Sequence, residues 1–143
     1  MTMNSQLITS LNQSYASLYY YLHYPHQDSI THQAVRMLQH IDMQGDVTIG
    51  KLAELLSISH NTASEHVKRL LHNGYVVKER YSSDERKVFV RLTEKGRAAL
   101  YMNTRLDESK LSDILERLSV EQREIIGEAF HLLAEEAKKC SSY

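Results

Sequence analysis

Residues 57 to 97 run Ser57-Ile-Ser-His-Asn-Thr-Ala-Ser-Glu-His-Val-Lys-Arg-Leu-Leu-His-Asn-Gly74, then Tyr75-Val-Val-Lys-Glu-Arg-Tyr81, a charged Ser82-Ser-Asp-Glu-Arg-Lys87 turn, and Val88-Phe-Val-Arg-Leu-Thr-Glu-Lys-Gly96. Ala63, Val67, Leu70 and Leu71 recur at helical spacing, Ser59 stands where an N-cap is needed, and Gly74 offers a left-handed stop. The two runs that follow are rich in β-branched and aromatic residues around a polar turn, which predicts a hairpin. Just upstream, Thr48 can cap a short helix carrying Ile49, Leu52, Ala53 and Leu56, with Ser57-Ile58-Ser59 as a tight turn between the helices. Helix, turn, helix, stop and hairpin follow one another without a gap. The expected fold class is therefore mainly α with a small β-hairpin wing, a winged helix-turn-helix.

The flanks read as helices. Leu7, Leu11, Tyr15, Leu18 and Leu22 form one stripe of a first helix that Pro25, the single proline, closes. Tyr15, Tyr19, Tyr20, Tyr21 and Tyr24 surround that stripe, so apolar or aromatic surface covers more than one face, as a subunit interface would require. Ser29 is expected to cap a second helix packing Ala34, Met37, Leu38 and Ile41 inward, ended by Gln44-Gly45-Asp46. Thr93 is expected to cap one long fifth helix reaching about Arg117. Ser119 and Gln122 fit a capping box opening a sixth helix with Ile125, Ile126, Ala129, Leu132, Leu133 and Ala137 on a broad stripe.

The chain has 143 residues, one domain by length, with 42% apolar and 24% charged residues, as in ordinary globular proteins. No apolar run nears the roughly 20 residues of a membrane-spanning helix. The start, Met1-Thr-Met-Asn-Ser-Gln-Leu7, does not read as a signal peptide, and a lone cysteine fits a reducing cytoplasm. The expected partners thus exclude membrane, and the expected location is cytoplasmic. A net charge of −1 taken alone argues against DNA. Its distribution argues for it: residues 59–97 hold nine Lys/Arg against five Asp/Glu, while both flanks are net acidic. Phosphate contacts require local positive charge, not a basic whole.

Laid at 100° per residue, the fourth helix places Asn61, Glu65, Lys68, Arg69 and His72 opposite its apolar stripe, flanked by Thr62, Ser64 and His66. Asn can bond adenine at two points, Arg can bond guanine, and Glu can accept from cytosine. Ser and Thr near a helix start suit phosphate oxygens, beside free N–H groups and the helix dipole. Arg86 and Lys87 stand at the hairpin tip, where Arg suits a narrow A·T-rich minor groove, and Asp84 could orient the guanidinium by a forked pair. The candidate DNA-binding set is Ser59, His60, Asn61, Thr62, Ser64, Glu65, Lys68, Arg69, Asp84, Arg86 and Lys87.

Several runs carry a resemblance: Leu52-Ala-Glu-Leu55, Asn61-Thr-Ala-Ser64, Arg69-Leu-Leu-His-Asn-Gly-Tyr75, and Asp84-x-Arg86 followed by Val90-Arg-Leu-Thr-Glu-Lys-Gly96. On these the chain resembles the MarR (multiple antibiotic resistance regulator) family of bacterial transcription factors over nearly its whole length. The resemblance implies a homodimer built from the first, fifth and sixth helices and bound to a pseudo-palindromic operator on double-stranded DNA. It also implies a repressor released by a small-molecule effector. A single domain over 1–143 follows, with a DNA-binding lobe at about 29–97 and dimerisation helices at about 4–24 and 98–139. Glu65 departs from the basic or polar residue that many relatives carry there.

Other chemistry is thinly represented. His23, His26, His32, His40 and Asp28 cluster near the first helix end in types that suit zinc, but at no tight ligand spacing, and surface histidines are the favoured reading. Cys140 reads as an inert thiol near the C-terminus. No phosphate loop, nucleophile elbow or paired-carboxylate motif appears, so no catalysis, metal or cofactor is expected. The alternatives are a metal- or redox-responsive regulator of the same fold, or a winged-helix module that binds protein.

Overall fold

The computed structural model describes residues 2–25, 29–81 and 84–140, with backbone alone at 81, 84 and 85. Its elements run α1(Met3–Leu22), α2(His32–Gln44), α3(Ile49–Leu56), α4(His60–His72), β1(Val76–Tyr81), β2(Asp84–Leu92), α5(Glu94–Thr104), α6(Glu108–Arg117) and α7(Val120–Lys138). They fall into two compact units, Pro25–Arg105 and the pair Met1–Tyr24 with Leu106–Tyr143.

In the unit Pro25–Arg105, α2, α3, α4, α5 and the hairpin share one core. Met37, Leu38, Leu52, Val67 and Val90 lie fully buried in it with Ile41, Val47, Leu70 and Val76. The expected stripes of α2, α3 and α4 supply most of these. The cap of α2 differs from expectation: it is Thr31, not Ser29, and its hydroxyl accepts from Ala34 N at 3.1 Å. Capping there seats both Ile30, just before the cap, and Val35, in the first turn, against the core, the positions at which a hydrophobic staple fixes chain entry.

The helix-turn-helix joint is set by backbone conformation. Ser57 adopts the left-handed region at φ 54, ψ 44, and Ile58 N bonds Ala53 O at 3.0 Å, so α3 ends there. Ser59 then caps α4 through Thr62 N at 3.1 Å. At its far end Tyr75 N bonds Leu70 O at 2.9 Å and Gly74 N bonds Leu71 O at 3.1 Å, a Schellman closure with Gly74 at φ 78. β1 and β2 pair antiparallel from Val76↔Leu92 to Arg80↔Val88. Val47, in the segment between α2 and α3, bridges Val90, whose N–H donates to Val47 O at 2.8 Å.

The single fifth helix expected from Thr93 to about Arg117 is two helices. Arg105 is extended, Leu106 bridges His23, and Asp107 N bonds Leu22 O at 2.6 Å. Asp107 then caps α6 through Ser109 N at 3.0 Å and Lys110 N at 3.2 Å. A strong N-cap and pairing with the end of α1 outweigh the helical periodicity that runs across the break.

In the unit holding α1, α6 and α7, Leu22 is buried and Leu18, Leu106, Leu111, Ile114, Leu115 and Leu118 are half-buried, but Leu7, Ile8, Leu11, Tyr15, Tyr20 and Tyr21 are exposed. The Ser119–Gln122 capping box is present, yet α7 buries none of its residues, and Ile125 and Leu132 are each 65% exposed.

Candidate nucleic-acid interface

Burial of Ala63, Val67 and Leu70 fixes which side of α4 faces outward. Asn61, Thr62, Glu65, Lys68, Arg69 and His72 are exposed there, with Ser64 and His66 half-buried at the edges. The structure thus gathers the fourth-helix candidates on one surface, with Ser59 and His60 exposed at its start. The helix also gives several of them partners that spacing alone did not suggest. Ser59 Oγ lies 2.8 Å from Thr62 Oγ1, so both hydroxyls take part in the cap. Lys68 Nζ lies 3.7 Å from Glu65 Oε1, and Arg69 Nη2 lies 2.9 Å from His66 Nδ1. The Glu65–Lys68 pair is solvent-screened and readily exchanged for other partners.

The wing differs from expectation in extent. β2 begins at Asp84, so Arg86 and Lys87 belong to a strand, not to the turn, and the turn residues 82–83 lie outside those described. Between Arg80↔Val88 and Tyr81↔Asp84 the register slips, leaving residues 85–87 extra on β2 relative to β1. Such a bulge bends the strand and re-aims its side chains. Arg86 and Lys87 are both exposed on it. The expected forked pair of Asp84 with Arg86 falls on a side chain outside those described.

The Leu92-Thr-Glu-Lys-Gly96 run proves to be a structural joint. Thr93 N bonds Tyr75 O at 3.0 Å, and Thr93 Oγ1 donates to Gly74 O at 2.6 Å. The same oxygen accepts from Gly96 N at 3.0 Å, capping α5, and Lys95 Nζ donates to Asn73 O at 2.7 Å. Gly96 packs so closely that a Cβ there would sit 2.0 Å from Tyr75 O. The end of α4, the exit of the wing and the start of α5 are therefore one hydrogen-bonded knot.

Sequence reasoning missed the ion pairs at the wing base. Arg91 Nη2 contacts Asp46 Oδ1, and Arg91 Nε lies 2.7 Å from Glu79 Oε2, a charge pair too bent to be a directed hydrogen bond. The available signal was strand alternation, which sets Arg91 between the buried Val90 and Leu92 and so on the opposite face.

The histidines do not converge. Among the described residues no group of three or more His, Cys, Asp or Glu side chains is placed to hold a metal ion, while His26 and Asp28 lie outside those residues. The His23 ring stacks on Tyr19 at 4.9 Å. His40 is buried on α2, and burial, aided by the Arg36 charge, pushes its imidazole below the ordinary value. Cys140 is exposed. Among the described residues no helix is long and apolar enough to cross a membrane.

Residues 20–102 match the family described as transcriptional regulator SarA/Rot. SarZ, an HTH-type transcriptional regulator of Staphylococcus aureus, is 27% identical over 108 residues, covering 68% of this chain and 73% of SarZ. Across the curated relatives the match covers from 56% to 73% of the relative's own length. A MarR-like transcriptional regulator of Thermotoga maritima is similar in structure, with a TM-score of 0.68 at 23% identity over 96% of this chain and 99% of that one. FabT of Streptococcus pneumoniae, solved in complex with DNA, gives a TM-score of 0.58 at 21% identity over 96% of each chain. These structural likenesses establish a MarR-like winged-helix fold.

Proposed function

The chain belongs to the SarA/Rot family of transcriptional regulators, which are not enzymes, and from that premise we propose that it binds double-stranded DNA sequence-specifically as a homodimer. One observation carries the reading: α4 presents Asn61, Glu65, Lys68 and Arg69 together on one exposed face, followed by a wing with Arg86 and Lys87 exposed. A helix with base-reading side chains outward and a basic wing suits one major groove and the adjoining minor groove. On this reading Asn61 and Glu65 read bases. Ser59, His60, Thr62 and Ser64 lie against the backbone at the helix start, Lys68 and Lys87 hold phosphates, Arg69 reaches either, and Arg86 enters the minor groove with Asp84 orienting it.

Dimerisation is supported by the exposed stripe of α7 and the aromatic surface of α1. A helix that buries none of its apolar residues gains little from its own chain, and a partner that covers them would stabilise it. Two copies related by a two-fold axis would set two recognition helices about one helical turn of DNA apart, hence a pseudo-palindromic operator. Repression released by a small-molecule effector, in the cytoplasm, completes the proposal on the strength of the MarR resemblance. Light scattering tests the dimer: wild type should show twice 16.5 kDa, and Leu132→Glu should give a folded monomer. Selection from a random-sequence DNA pool tests the rest. Enrichment of an inverted repeat is expected, and failure to retain any duplex would refute DNA binding in favour of a protein-binding winged helix.

A further inference from the structure

A two-stranded hairpin is marginal by itself and takes its orientation from whatever holds its base. Here the apolar attachment lies at the proximal end, through Val76, Val90 and Leu92, with one backbone bridge at Val90 to Val47. Beyond it the strands carry Glu79, Arg80, Arg86 and Lys87, all exposed. Arg91 sits beside that bridge and reaches two ways, to Glu79 on β1 and to Asp46, the residue preceding Val47. One guanidinium thus ties both wing strands to the segment that joins α2 to α3. Its side chain is 37% exposed, against 42% for Asp46 and 56% for Glu79, so solvent screens the trio and its effect lies in orientation more than in stability.

We propose that Arg91 is a positioning residue, fixing the wing against the helical body through Asp46 and Glu79 so that the distal wing meets DNA at the right angle. The inference rests on the DNA-binding reading above. Leverage gives the clamp its importance. Arg86 lies four residues beyond Val90, up to about 13 Å at roughly 3.3 Å per residue, so a swing of about 10° displaces Arg86 by up to about 2 Å. That exceeds the whole range of hydrogen-bond distances. Arg91 itself faces two carboxylates, an arrangement that offers phosphate no net positive charge.

The sign of the carboxylate variants separates positioning from electrostatics. Asp46→Asn with Glu79→Gln removes negative charge and frees Arg91, so electrostatics alone would tighten binding to DNA. Loss of the clamp should instead weaken binding about tenfold, the loss of one good contact. The probe is the duplex most enriched by the wild-type chain from a random-sequence pool, titrated by fluorescence anisotropy. Arg91→Ala should weaken binding similarly, with circular dichroism and the unfolding midpoint close to wild type, since exposed pairs contribute little to stability. The carboxylate double variant binding as tightly as wild type, or tighter, would overturn the clamp and leave DNA binding intact. A wild-type chain that retains no duplex would overturn the underlying reading and the clamp together.

Discussion

Gly96→Ala tests the joint between α4 and the wing, and its sign is opposite to what helix propensity predicts. Gly96 lies in the first turn of α5, where alanine would ordinarily stabilise by up to about 1 kcal/mol. Its added Cβ would stand 2.0 Å from Tyr75 O and 3.0 Å from Tyr75 C, where ordinary contact begins at 3.4 Å. Tyr75 cannot give way easily: it is 7% exposed, its neighbour Val76 is 2% exposed, and its carbonyl accepts from Thr93 N. Opening the gap weakens that bond and the Thr93–Gly74 bond, about 1 kcal/mol each, and overpacks the wall for a further 1–3 kcal/mol or so. After the propensity gain, a net loss of about 2–4 kcal/mol remains, or a fall in Tm of roughly 8–16 °C at about 4 °C per kcal/mol. Urea and thermal unfolding at fixed protein concentration measure it. Gly50→Ala is the control, because its Cβ would meet nothing nearer than Thr48 Oγ1 at 3.9 Å; it should be neutral or slightly stabilising. If Gly96→Ala unfolds with wild-type stability while Gly50→Ala behaves as expected, the close approach does not constrain the fold as argued.

Arg86→Ala should weaken operator binding by about 1–3 kcal/mol, as a good base contact would; undiminished affinity would show that the wing does not reach DNA. Lys68→Ala should weaken binding to every sequence and lower the salt slope by about 0.9, one counterion, whereas Glu65→Gln should tighten non-specific binding and narrow the gap between operator and random duplex. An unchanged affinity ratio would mean that Glu65 does not read sequence. His40 makes stability depend on pH. Its folded value is lowered, so near and below the ordinary imidazole value of about 6.5 the unfolded chain holds more protons than the folded one. Its contribution is therefore fully present above about pH 7.5, is lost as pH falls towards the folded value, and levels off below that. Denaturation across this range should show His40→Gln with a flatter profile than wild type.

What the sequence made legible divides by the range of the interaction involved. Local rules placed the caps at Thr48, Ser59, Thr93 and Ser119 and the stop at Gly74, because each depends on contacts within a few residues. They failed where two local solutions competed. Ser29 and Thr31 can both cap α2, and only the core, by seating Ile30 and Val35, favours the second. Periodicity ran through 105–107, yet a long-range bridge from His23 to Leu106 and the capping carboxylate of Asp107 break the helix. The candidate interface follows the same division. Its outward face on α4 was readable from period 3.6, but the register slip beyond Arg80↔Val88 and the partnership of Arg91 with Asp46 span separate elements. The Leu-Thr-x-x-Gly run was legible as a signature while its reason was not. That reason is Tyr75, some twenty residues earlier in the chain, whose carbonyl leaves no room for a side chain at position 96. A run that looked like part of the DNA-reading wing is therefore an architectural constraint. Substitutions within it should lower stability first and affinity only as a consequence, the reverse of the order expected at Arg86.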